Sequence, residues 1–321
     1  MANTDGRIVT EGPLQIASGV LDNTGGRLQS GGGLRLDTHG QALNNTGTAS
    51  AGILSGGRMS LTTGDINNSQ GVIAAAGETN VNSQGLNNTA GKLLADQALT
   101  LVTRTVNNAS GLIQSGARLS LDTQGEQLTN TDSGETGGLI ARGDLQLNTG
   151  QIDGRQGVIL GQNVRLDTHQ QAFSHQNGQL MAREGLRLDT GRLDNSAGRI
   201  QSGGDAQLNT HGQLLINRDS GKTGGVLTGG ALTLNTGDID NQRGTLIGRG
   251  NTTVTAGSLD EAGSVDWGDW RPGNGRHPHA GRNRRAEGAE RPGRAVTGPG
   301  AAGKGSERQT CQRCGGDEAG V

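Results

Sequence analysis

The chain has 321 residues, of which 60 are Gly, one is Phe, two are Trp and none is Tyr, and its formal charge is −2. Aromatic side chains supply the most buried area per residue, so a chain this poor in them does not build an ordinary globular core. The near-neutral charge gives no electrostatic reason to expect a nucleic-acid partner, and no stretch approaches the ~18 apolar residues of a spanning helix.

The first residues, MANTDGRIVTEG, lack a basic region and an apolar core, so no signal peptide is expected in them. From Gly6 onward the chain repeats itself. An opening glycine can be followed through Gly6, Gly26, Gly52, Gly71, Gly91, Gly111, Gly138, Gly157, Gly178, Gly198, Gly225 and Gly244. A branched apolar residue follows two places later in most units, as at Ile8, Leu28, Leu54, Ile73, Leu93, Ile113, Ile140 and Leu227. Next comes an alternating apolar pair, such as Leu34/Leu36, Leu99/Leu101 or Val164/Leu166. A last apolar position closes the unit, as at Leu43, Val106, Leu128 and Phe173. Period-2 apolar residues between Gly, Asn, Asp, Ser and Thr read as short strands separated by tight turns.

Repetition at a period of about twenty residues means a solenoid. Three short strands per unit coil most simply into a parallel β-helix, with strands of successive coils ~4.8 Å apart. One such coil cannot bury its apolar face alone, so stacking must supply both the backbone ladder and the side-chain columns. The pairs Asn44–Asn45, Asn67–Asn68, Asn87–Asn88 and Asn107–Asn108 fit a stack, since Asn tolerates left-handed turns and bonds along a column. The sequons at Asn44, Asn67 and Asn87 are by-products of those pairs.

A second order of repetition lies above the first. Units group in fours, and the second unit of each four is long. The extra residues are Asn45–Ala51, Asn130–Gly137 and Asn217–Gly224, which match one another. All three are expected to project from one corner of the rod. After Leu259 the repeat stops in mid-unit. Residues 261–321 contain no Leu or Ile, hold four of the five prolines and both tryptophans, and read as a disordered tail. The abrupt break points to an out-of-frame tail, with a genuine basic linker as the alternative.

Few residues carry chemistry. Arg142-Gly143-Asp144 spells an integrin-type adhesion tripeptide and is the one candidate binding motif, although the repeat requires Gly at that turn whatever flanks it. Gly221-Lys222-Thr223 looks like the end of a phosphate loop, but the upstream Gly is replaced by Ile216, so a plain loop is expected. Asp37, Asp122, Asp167 and Asp189 follow the apolar pair in separate coils and read as a solvated turn column. Residues 1–310 contain no Cys. Cys311 and Cys314, even with His277 and His279, match no standard zinc spacing. No cofactor, metal or catalytic residue is expected.

The pattern GxIxSGxxLxLxTxGxxLxN, over about residues 6–259, resembles the haemagglutinin repeat of filamentous haemagglutinins, haemolysins and contact-dependent growth-inhibition toxins. That resemblance implies a right-handed parallel β-helix, all-β, over residues 1–260. It also implies the shaft of a large secreted bacterial exoprotein that serves in adhesion or presents a toxin. The partners it implies are a dedicated outer-membrane two-partner secretion transporter and a receptor on a host or neighbouring cell. Neither a secretion domain nor a toxin module is recognisable, and neither end looks like a polar cap, so the chain reads as an internal fragment. A β-helical polysaccharide-degrading enzyme is the alternative. That class needs clustered charged residues and long sugar-binding loops, and Phe173 is the only aromatic before residue 261.

Overall fold

The computed structural model describes residues 1–49 and 51–260. The sequence readings of residues 261–321, the tail with its Cys and His pairs, lie outside the described residues. Thirty-six short strands, and no helix among the described residues, form three parallel sheets of twelve strands each. The first sheet runs from Arg7–Thr10 to Leu246–Gly248, the second from Leu14–Ala17 to Thr252–Thr255, and the third from Leu21–Asp22 to Leu259–Asp260. Each strand pairs with its counterpart one coil away, for example Leu99↔Leu119 and Leu101↔Leu121. The chain is therefore a β-solenoid of twelve coils plus a short N-terminal stub bridged to Asp22.

Alternation decides what goes inside. In the sixth coil Ile113, Leu119, Leu121 and Leu128 are fully buried, and Ser115, Thr123 and Asn130 fill the corners beside them. Stacking repeats this set along one continuous core from Ile16 to Leu246. The corner threonines have their own task. Thr38, Thr123, Thr168 and Thr210 each donate through Oγ1 to a carbonyl three residues on, at 2.5–2.6 Å, which closes the corner after the second strand.

The asparagine column is real, but only the second member of each pair belongs to it. Asn23, Asn45, Asn68, Asn88, Asn108 and Asn130 are fully buried, and each Nδ2 up to Asn108 donates to the Oδ1 one coil on at 2.7–2.8 Å. The first member faces outward, and Asn67, Asn87 and Asn107 each close their own turn, as when Asn87 Oδ1 accepts from the N–H and hydroxyl of Thr89.

The long units correct the sequence reading by one residue. Gly52, Gly138 and Gly225 do not open their coils. They occupy the first position of a strand and pair with Arg27, Leu112 and Arg199. The inward residues there are Ile53, Leu139 and Val226, fully buried, while Leu54, Ile140 and Leu227 face outward. A one-residue slip moves every side chain to the other face. Two small residues in succession, Ala51-Gly52, Gly137-Gly138 or Gly224-Gly225, disguise which one opens the coil.

The inserts do lie at one corner, between the third strand and the next first strand, but they are not free. In unextended coils the first-strand N–H bonds the opening-glycine carbonyl one coil back, as Lys92 does to Gly71. Behind each insert that N–H turns to an insert hydroxyl instead. Val72 N–H donates to Thr48, Val158 to Ser133 and Thr245 to Ser220, at 2.9–3.0 Å. Ser133→Ala should orphan the Val158 N–H and destabilise the fold by about 1–3 kcal/mol. Deleting Ser133–Thr136 joins Asn130-Thr131-Asp132 to Gly137, recreates the unextended corner and should cost under about 1 kcal/mol. Denaturant midpoints of the two variants check this. A deletion more damaging than the point substitution would contradict it.

Candidate functional site

A solenoid offers faces more readily than clefts, and the face richest in polar groups is the outside of the second sheet. Its outward column reads Gln15, Arg35, Ser60, Asn80, Thr100, Ser120, Gln146, Arg165, Arg187, Gln207, Thr233 and Thr253. A shallow open depression crosses this face around Arg165 and Arg187, which are paired in register on adjacent strands. Of these two like charges, Arg187 is drawn to partners of its own. Arg187 donates to Gln207 Oε1 and to Asp189 Oδ2, both at 3.0 Å.

The Arg142-Gly143-Asp144 turn borders this depression, joining the strands Gly138–Ala141 and Leu145–Asn148. Arg142 and Asp144 are exposed. The turn backbone is held by the coil before it, Arg142 N–H to the Ser115 carbonyl at 3.0 Å and Gly143 N–H to that of Ala117 at 2.9 Å. The Asp144 carboxylate accepts from Asn163 Nδ2 at 2.9 Å. Asn163 also donates to Glu184 at 3.2 Å and accepts from Gly185 N–H at 2.9 Å. The tripeptide is thus a fixed stretch of a larger polar surface rather than a projecting loop.

The acidic column takes the expected place at the corner after the second strand. Asp37, Asp122 and Asp167 each accept the N–H two residues on at 2.7–2.8 Å. Asp189 differs, since His211 Nε2 approaches it at 2.5 Å on one side and Arg187 on the other. Burial alone would raise its pKa, but hydrogen bonds from Arg187 and His211 outweigh it and hold the carboxyl below its ordinary value. Elsewhere Asp153 is lowered mainly by the Arg155 guanidinium, which it accepts at 2.8 and 2.7 Å. Gly221-Lys222-Thr223 lies in the third insert, where the Gly221 carbonyl accepts from Thr245 Oγ1 at 2.6 Å. Among the described residues no group of three or more His, Cys, Asp or Glu is placed to hold a metal ion.

Two features escaped sequence reasoning. The arginine pair was visible as the residue between the two members of the apolar pair, a position to which the sequence reading gave no role. His175 was not visible at all. It sits in the asparagine column, fully buried, where an Asn stands in most coils, and its pKa is pushed down to about 4, chiefly by burial.

The haemagglutinin-repeat family model matches residues 2–52, 42–128, 118–172, 163–218 and 210–269, so nearly the whole solenoid is covered. The chain belongs to the haemagglutinin-repeat family. Each matched stretch spans two to four structural coils. Searches of curated proteins and of solved structures returned no match. A haemagglutinin-repeat solenoid of this kind fits a segment of the shaft of a haemagglutinin-like adhesin.

Proposed function

We propose that these coils act as a non-enzymatic spacer with a repetitive, weakly adhesive surface, within a large protein carried to the bacterial surface by a two-partner secretion transporter. The observation that supports this most is the unbroken register of three twelve-stranded sheets around one core. Such a stack transmits length, since each strand pairs only with its counterparts in the neighbouring coils. The polar face of the second sheet, with Arg142, Gly143 and Asp144 at its margin, presents similar groups coil after coil to a receptor on another cell. Contacts weak one at a time then add through multivalency. The open, shallow form of the depression favours this over a polysaccharide-degrading enzyme, which needs a cleft that excludes water around poised carboxylates.

Two measurements test the reading. Removing Gly91–Asn177 joins Ala90 to Gly178 and excises four coils. The largest dimension in X-ray scattering should then shrink by roughly 19 Å, with the β spectrum retained. Beads coated densely with the chain should bind host-cell monolayers, and soluble chain should bind far more weakly. Dense beads that bind no better than uncoated ones would reduce the role to spacing alone.

A further inference from the structure

The outside of the first sheet departs from that of the second. Its central outward column reads Val9, Gln29, Leu54, Ala74, Leu94, Gln114, Ile140, Leu160, Met181, Gln201, Leu227 and Ile247. Nine of these twelve are apolar, whereas none of the twelve on the second sheet is. Val9 is 46 % exposed and the others are half-buried, covered at their sides by neighbours in the column but not from above. Val72, Leu112 and Val158, at the first position of their strands, widen the strip. The two sheets share a core and a strand length, so the fold does not require the difference. A strip this long and this rich in apolar groups, interrupted only by Gln29, Gln114 and Gln201, marks a contact surface.

We propose that this face is where a second copy of the chain docks, sheet against sheet. Area is the first argument. Twelve strands at ~4.8 Å, each four residues long at ~3.3 Å, give a footprint of up to about 700 Å² per copy, so roughly 1,400 Å² in all. That falls within the ~1,200–2,000 Å² of a stable protein interface.

Spacing is the second. Ridges that recur once per strand along the whole stack are matched only by a surface of the same repeat, and another copy has it by construction.

Charge is the third. The strip carries Arg7, Arg27, Lys92 and Arg199 at the first strand position and no acid. With a two-fold axis along the stack, each coil meets its own counterpart with the strands reversed. Arg27 then meets Gln29, Lys92 meets Leu94 and Arg199 meets Gln201 of the second copy, so no cation faces a cation. A self-complementary patch of this kind defines an isologous dimer.

Sedimentation analysis of the full chain over a concentration series tests this. The expected result is a dimer mass for the wild type. A variant with Leu54, Leu94, Ile140, Leu160, Met181 and Leu227 all changed to Thr should be a monomer with an unchanged β spectrum. Thr keeps strand propensity while removing the apolar surface. If the sixfold variant does not fold, Leu160→Arg alone is used and should likewise give monomer. A wild type that stays monomeric throughout the series, or variants that remain dimeric, would overturn the proposal. So would assembly of the wild type only when a polyanion such as heparin is added, since that assigns the strip to an acidic partner instead.

Discussion

Asn88→Ala should lower the stability of the folded solenoid by about 2–4 kcal/mol, whereas Asn87→Ala, one residue away, should cost under about 1 kcal/mol. Asn88 is fully buried. Its Oδ1 accepts from Asn68 Nδ2 at 2.7 Å, and its own Nδ2 donates to Asn108 Oδ1 at 2.7 Å and to the carbonyls of Gly91 and Leu112, each at 3.2 Å. Removing the amide strands the Asn108 oxygen without its donor in a dry interior, where an unmet polar group costs more than a met one contributes. Asn87 works at the surface, where water replaces what its side chain accepts. Denaturant midpoints for the two variants decide the matter, and equal losses would contradict the ladder as the main polar support of the core.

His175 should make the same solenoid sensitive to mild acid. The column is interrupted twice in succession, by Gly154 and then by His175, before it resumes with Asn195 donating to Asn217 at 2.8 Å. His175 Nδ1 has no partner, nor has Asn195 Oδ1 beside it. The folded pKa of about 4 lies below the ordinary 6.5. Between those values the unfolded chain takes up a proton that the folded chain refuses. Stability therefore falls as pH drops from 6.5 to about 4 and levels off below, a loss of roughly 3 kcal/mol. His175→Asn should remove this component of the acid response. Full repair needs three changes, since a Cβ at Gly154 would come within 2.9 Å of Phe173 Cε2. Gly154→Asn with Phe173→Leu and His175→Asn should restore both rungs and raise the midpoint at neutral pH. Identical pH profiles for wild type and His175→Asn would sink the argument.

The coil count, the three-strand unit and the parallel stack were legible in the sequence because like residues stack on like. What the sequence hid has one physical source, the ambiguity of adjacent similar residues. Of Asn87 and Asn88 one is core and the other surface, and only the turn direction decides. Leu93-Leu94, Leu139-Ile140 and Val226-Leu227 each place one side chain inside and one outside, and an alternation rule keeps only one of them. The outer apolar strip was therefore on view in the chain but absorbed into the core. Similarly, nothing in the sequence marks the hydroxyls of Thr48, Ser133 and Ser220, because a side chain standing in for a ladder carbonyl leaves no periodic trace. For the proposed binding surface the sequence supplied a tripeptide, which lies beside a wider polar field that no three residues announce.

The pairing of every strand with its counterpart one coil away also governs how the chain comes to be folded. Leu99 finds Leu119 and Leu101 finds Leu121, and among the described residues no sheet pairing joins residues farther apart than neighbouring coils. Loops of this size close quickly, and growth by addition to an existing stack requires no distant segment to arrive first. A chain delivered end-first can therefore fold in the order in which it emerges, with the newest coil templated by the edge of the last. The slowest step is making the first few coils, and every later one is a short local closure.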